Sequence, residues 1–181
     1  MPPPIPVELV PHSPAWATRA MEETARLKAA LHEVLVAVHH VGSTSIPGIV
    51  AKPIVDLIPE VTSLEAIDAA KKQVVALGYE WWGEYGMAGR RYCTFADPMS
   101  GKRIVQLHCF PTGSPHITRH VAFRDFMRRH PDKARAYEAE KTRARDQHPD
   151  DSHAYMAAKS AWIAAVEAEA LAEWQAAEPR P

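Results

Sequence analysis

Two β-branched runs, residues 34–41 and 54–61, enclose Gly42-Ser43-Thr44-Ser45 and Ile46-Pro47-Gly48. β-Branched residues suit buried strands, and the Gly/Ser/Pro segment turns the chain between them. A sheet therefore has to form in the first third of the chain. Residues 91–96 and 103–110 flank Asp97-Pro98-Met99-Ser100-Gly101, a strong turn signal, and predict an antiparallel hairpin. Residues 79–82 predict a short strand. Apolar residues recur at helical spacing over 15–34, with Arg19, Glu22, Glu23, Arg26 and Lys28 on the wet side. They recur again over 64–77, where Gly78 supplies a C-terminal cap. Beyond Pro115 the chain reads as three helices, 117–129, 132–146 and 152–174, with Pro131 and Pro149 at the joints. The expected class is α+β: a mixed sheet with flanking helices over about residues 15–115, then a helical C-terminal third over about 117–175. Six of the sixteen prolines fall in residues 1–14, which read as an extended arm before a single domain of residues 15–176. Residues 178–181 are expected to fray.

Composition narrows the function classes. Twenty-one Lys+Arg against twenty-two Asp+Glu leave a formal net charge of -1, without the basic excess of a nucleic-acid surface. No apolar stretch approaches the roughly 20 residues needed to span a bilayer, and no signal peptide is expected. Two cysteines, Cys93 and Cys109, lack metal spacing and are too few for a disulfide scaffold, so reduced thiols in a cytoplasm are expected. A Walker-type lysine loop, a dinucleotide glycine motif and a His-x-x-x-His zinc pattern with a glutamate are all missing.

The chemistry concentrates in residues 39–57. Gly42 lets a ligand approach the backbone, and the hydroxyls of Ser43 and Thr44 with free amides can hold phosphate oxygens. Asp56 follows in an apolar strand, where an acid needs a partner or a role; a metal bound to a phosphate would give it one. The plainer alternative is a simple turn and a carboxylate capping a loop. Lys52 reads either as a phosphate partner or as a solvated loop lysine. Of the consecutive Arg90 and Arg91, strand alternation puts one toward the pocket side, where it could grip phosphate; a salt bridge at the sheet edge is the alternative. His108 reads as a metal ligand or proton shuttle, or as a satisfied core histidine. His116, Arg119, His120, Arg124 and Arg128 form a basic run in which 120, 124 and 128 share one helical face. Tyr155 and Lys159 lie one turn apart, as do Lys141 and Arg145, while Trp162 and Ile163 read as packing residues.

His-Val-Gly-Ser-Thr-Ser-Ile-Pro-Gly and Ala-Lys-Pro-Ile-Val-Asp, with Gly-Arg-Arg-Tyr (89–92), Gln-Leu-His (106–108), His-Val-Ala-Phe-Arg-Asp-Phe (120–126) and Tyr-Met-Ala-Ala-Lys-Ser-Ala-Trp-Ile (155–163), resemble the GrpB family, an uncharacterised group within the nucleotidyltransferase superfamily. The resemblance covers nearly the whole chain after the arm. It implies the small mixed sheet of nucleotidyltransferases and a Mg²⁺-dependent transfer from a nucleoside triphosphate to an unknown acceptor. Gly42, Ser43 and Thr44 would hold phosphates with Lys52, Arg90 and Arg91, and Asp56 would be catalytic and bind metal. The superfamily places two carboxylates two residues apart on one strand face, with a third on a later strand, to hold one or two Mg²⁺ ions. Here the position two after Asp56 is Ile58; Glu60 lies four after; the later strand offers Gln106 and His108. The implied metal set is therefore Asp56, His108 and Glu60. The resemblance also places His40, rather than His39, toward the cleft. The alternative function is a non-catalytic module binding a nucleotide or other phosphorylated small molecule. Because some GrpB-like domains are fused to dephospho-CoA kinase, the resemblance links such a module to cofactor metabolism.

Overall fold

The computed structural model describes residues 4–177; residues 1–3 of the arm and the tail at 178–181 lie outside the described residues. The elements run α1 (Ala15–Leu31), β1 (Leu35–Val41), β2 (Val55–Val61), α2 (Leu64–Ala69), α3 (Lys71–Ala76), β3 (Glu80–Trp81), β4 (Arg91–Ala96), β5 (Arg103–Pro111), α4 (Pro115–Arg129), α5 (Pro131–Gln147) and α6 (Ser152–Ala177). The strands form one sheet in the order β1-β2-β5-β4-β3. β2 and β5 pair in parallel, and every other neighbouring pair is antiparallel. The class is the α+β expected from the sequence. The single helix read over 64–77 is instead two short ones meeting at Ala70, whose ψ of 8° departs from the helical value. Ser63 caps the first by accepting from the Ala66 amide, and Gly78, at φ 94°, ends the second.

Both sheet faces are covered, which is why the central strands are apolar at consecutive positions. One face carries α1, α2 and α3: Leu27, Leu57, Ile67, Val74 and Leu107 are fully buried there with Cys93 and Cys109. Val41, Ile58 and Phe110 pack with Ile117 and Val121 of α4 on the other face. α5 and α6 complete that layer, where Phe123, Phe126, Met127, Tyr137 and Val166 form a further cluster. Burial of each such side chain contributes about 1.5–3 kcal/mol, so slipping a strand by one residue would exchange two filled faces at once.

The arm is held against the domain. Val10 pairs with Ala51, the Val7 amide donates to the Pro149 carbonyl, and the Ser152 amide donates to the Ile5 carbonyl. Val7 is buried beside Ala144 and Tyr155. One reading of α1 requires correction. Glu23, placed on the wet side by periodicity, is only 2% exposed. It accepts from the Tyr79 hydroxyl at 2.7 Å and from Arg26 Nη1 at 2.8 and 2.9 Å, while Arg26 Nη2 donates to the Leu77 carbonyl. A buried carboxylate persists where its lone pairs are satisfied, and this network ties α1 to the end of α3.

Candidate functional site

Between the sheet and the α4–α6 layer lies a cavity of about 390 Å³. Its floor comes from the strands. Val41 of β1 stands beside Asp56 of β2, and Asp56 beside Gln106 of β5, so Asp56, Gln106 and His108 face the same way. The rim near β1 is Gly42, Ser43 and Thr44. α4 contributes Arg119, His120 and Phe123, α5 contributes Tyr137, and α6 contributes Tyr155, Met156, Lys159, Ile163 and Glu167. Lys52 and Ile54, from the loop before β2, close the edge.

The Gly42 turn is built around Asp56. Gly42 has φ 69° and ψ −173°, a region essentially reserved for glycine. A Cβ there would lie 2.6 Å from Asp56 Oδ2. The absent side chain is thus what lets the carboxylate lie against the backbone. Ser45 Oγ donates back to the Gly42 carbonyl at 2.6 Å, and Ser43 Oγ donates to the Tyr137 hydroxyl at 3.3 Å. Burial pushes the Tyr137 phenol up to about 12, so it stays protonated.

The histidines have assigned tautomers. Arg90 Nη1 sits 3.4 Å from His108 Nδ1, and a guanidinium only donates, so Nδ1 carries the lone pair. The Nε2–H then faces Asp56 Oδ1 across a long 3.5 Å contact. The His120 Nδ1–H donates to the His116 carbonyl at 2.7 Å, leaving Nε2 as an acceptor. Burial, aided by Arg119 and His108, holds His120 down to about 4; it is a neutral imidazole near pH 7.

Three lysines gather around two tyrosine rings. Lys159 Nζ lies 4.5 Å from the Tyr155 centroid and 5.6 Å from that of Tyr137. Lys52 Nζ lies 5.5 Å from Tyr155, and Lys141 Nζ lies 4.7 Å from Tyr137 while donating to the Val50 carbonyl. Among the described residues, Lys52 and Lys159 have no hydrogen-bond or ion-pair partner; Lys133 and Lys102, by contrast, pair with Glu169 and Glu8. Burial brings Lys52 and Lys159 down to about 8 and Lys141 to about 7, with the nearby Lys159 charge further lowering the other two.

The cavity brings together Gly42, Ser43, Thr44, Lys52, Asp56 and His108. Three expected members lie elsewhere. Arg91 begins β4 on the opposite face, beside Cys109, and grips Asp68 with two bonds of 2.6 Å; the residue pointing with His108 is Tyr92. Arg90 lies on the cavity face of the sheet, over the Tyr92 ring at 5.1 Å, but outside the lining: its guanidinium donates to the Glu84 and Tyr85 carbonyls and meets the cavity only through His108. Glu60 pairs with His39 Nε2 at 3.1 Å and takes no part in the lining. One strand extends about 3.3 Å per residue, so four residues carry Glu60 well beyond the reach of an ion held by Asp56.

His40 supports the turn instead of lining the cavity, bonding Thr44 Oγ1 at 2.9 Å. The 120/124/128 face divides: His120 enters the cavity, while Arg124 and Arg128 donate to the His40 and Ser45 carbonyls. Sequence reasoning missed Glu167, Phe123 and Tyr137. A signal for Tyr137 was present: Tyr137-x-x-x-Lys141 repeats the spacing of Tyr155-x-x-x-Lys159.

A resident Mg²⁺ does not fit these residues. The ion needs near-octahedral oxygen ligation. Asp56 is the one carboxylate on the floor, the buried Ile58 fills the position of its partner, and Glu167 is engaged by Arg119 at 3.2 Å. Among the described residues no three His, Cys, Asp or Glu side chains are grouped to hold a metal. Among the described residues the buried Arg119 Nε–H has no acceptor.

Comparison with known proteins places this architecture. A crystal structure described as conserved protein GrpB from Enterococcus faecalis superposes with a TM-score of 0.85 at 36% identity, covering 93% of this chain and 99% of that one. UPF0157 protein YqkA of Bacillus subtilis is 40% identical over 91% of this chain, which spans 47% of that protein's length. UPF0157 protein PA4798 of Pseudomonas aeruginosa is 31% identical over 92% of this chain and 68% of its own. A dephospho-CoA kinase of Mycolicibacterium paratuberculosis is 30% identical over 87% of this chain, matching 44% of the kinase. The family described as GrpB protein matches residues 6–169, and the chain belongs to that family.

Proposed function

We propose that the cavity binds a phosphorylated small molecule without a resident metal, as the phosphate-binding module of a nucleotidyltransferase-like fold. The observation that carries this is the pair of ammonium groups, Lys52 and Lys159, which among the described residues have no hydrogen-bond or ion-pair partner, in a part-enclosed cavity. Cations withdrawn from water without counterions are costly, and an anionic ligand supplies the missing partner. Ser43, Thr44 and the Gly42 turn offer hydrogen bonds at the opposite rim. Asp56, the His120 Nε2 and Gln106 suit the hydroxyl or amine groups of the same ligand. Phe123, Tyr155, Met156 and Ile163 provide apolar wall for the remainder, in the proportion usual for small-molecule sites. The likeness to a dephospho-CoA kinase supports a ligand from nucleotide or cofactor metabolism. The free, buried Cys93 and Cys109 agree with a cytoplasmic setting; among the described residues no helix is long and apolar enough to cross a membrane.

Thermal shift tests the reading. A nucleoside triphosphate or inorganic pyrophosphate should raise Tm equally with EDTA or with Mg²⁺. At one hundred times Kd the gain is about 2.7 kcal/mol, or about 5–11 °C for a chain of this size. No shift with any phosphate compound overturns the proposal. A shift wholly dependent on Mg²⁺ and abolished in Asp56→Asn would return the site to metal-dependent nucleotidyl transfer.

A further inference from the structure

One of the two lysines offered to an anion, Lys159, is also placed to act as a nucleophile. A lysine amine attacks carbonyl carbon when it is unprotonated, reachable and free of a competing carboxylate, and burial next to another cation promotes the neutral form. Lys159 is reachable and free of a paired carboxylate by position, and its burial favours the neutral form. Its side chain is 5% exposed yet lines the cavity, stacked on Tyr155 and within reach of Tyr137. No carboxylate among the described residues pairs with it, and Lys52 shares the Tyr155 ring with it. Asp56 and Glu140 are the acids that act on it from a distance.

We propose that Lys159 Nζ forms an imine with the aldehyde or ketone of a small phosphorylated carbonyl compound, whose anionic end Lys52 holds; this rests on the phosphate reading above. The neutral amine's lone pair forms the C–N bond as the carbonyl π pair moves to oxygen, giving a carbinolamine once that oxygen takes a proton. Loss of the hydroxyl as water, with the second nitrogen proton, leaves the C=N bond, so one water is released per imine and no oxidant or reductant is consumed. With Lys159 lowered to about 8, roughly a tenth of the amine is free at pH 7, against far less than a hundredth for an ordinary lysine. The Tyr137, Tyr155 and Phe123 rings line the cavity around the amine and supply an apolar setting for the C=N bond.

The test uses the full chain with pyridoxal 5′-phosphate, a phosphorylated aldehyde, trapped by borohydride and located by peptide mapping. One label per chain at Lys159, formed about tenfold or more faster than at the exposed Lys28, Lys72 and Lys102 and suppressed by pyrophosphate, is the expected result. Lys159→Arg, checked for folding by its melting curve, should lose that label and no other. Pyrophosphate stabilisation with label spread over exposed lysines, or label at Lys52 instead, overturns the imine and leaves the phosphate reading standing. Label at Lys159 that pyrophosphate neither suppresses nor accompanies with a Tm shift keeps the imine chemistry and overturns the phosphate reading.

Discussion

Gly42→Ala perturbs the site at the point where backbone and carboxylate meet. Two costs follow from the geometry. A φ of 69° with ψ −173° costs a non-glycine residue about 1–3 kcal/mol. The new Cβ would also lie 2.6 Å from Asp56 Oδ2 and 3.2 Å from its Cγ and Cβ, an overpacking that costs a further 1–3 kcal/mol or so. A total of about 4 kcal/mol corresponds to a fall in Tm of roughly 8–16 °C. The two parts separate in a double-mutant cycle measured by urea unfolding. Asp56→Ala deletes Oδ2 and Cγ but keeps the Cβ, so in that background Gly42→Ala should cost the backbone strain and the remaining 3.2 Å contact with that Cβ, without the 2.6 Å clash. The coupling should be favourable by about 1–3 kcal/mol, well above the 0.5 kcal/mol or so expected of independent sites. Additive single mutants, or a fall in Tm below about 2 °C, would refute the claim that Gly42 is glycine because Asp56 lies against it.

Arg91→Ala should change stability by no more than about 1 kcal/mol and leave phosphate-dependent stabilisation intact, because its Asp68 partner is 45% exposed and both lie across the sheet from the cavity; loss of the thermal shift would contradict that placement. Glu23→Ala should destabilise by about 1–3 kcal/mol for each partner left unsatisfied, Tyr79 above all, whereas Glu23→Gln should cost less in the same denaturant titration. Between about pH 8 and 10.5 the unfolded chain binds more protons at Lys52 and Lys159 than the folded chain does, so stability without ligand should rise with pH. Phosphate affinity should fall over the same rise as the ammonium groups neutralise; parallel trends in the two measurements would oppose the assignment. On the acid side, His40 and His120, both lowered to about 4, should remain neutral in the fold while the unfolded chain protonates near 6.5. Stability should therefore drop as pH falls from about 6.5 to 4, by up to about 3 kcal/mol for each histidine, and the drop should shrink in His120→Gln.

The strands, the 97–101 hairpin turn, the helical C-terminal third and the Gly42 turn leading to Asp56 are all legible in the order of residues. These depend on local chemistry: β-branched runs, Gly and Pro where the backbone demands them, and apolar periodicity. Which partner each charged residue meets follows from the packing of distant elements. Periodicity shows that a residue shares a face with its neighbours, and in a sheet buried on both sides it does not say which face holds the cavity. Arg91 therefore reached Asp68 of α2 on the face away from the cavity, and Glu60 reached His39 on the neighbouring strand. Glu23 was legible only as a charge on a helix, because what satisfies it, Tyr79, lies 56 residues away. The lysine–tyrosine cluster shows the same division. The spacings Tyr137-x-x-x-Lys141 and Tyr155-x-x-x-Lys159 are written in the sequence, each fixing a cation beside its own ring. It is the packing of α5 against α6 that brings Lys159 within 5.6 Å of the Tyr137 ring on the neighbouring helix and turns two surface-like patterns into one buried cation site.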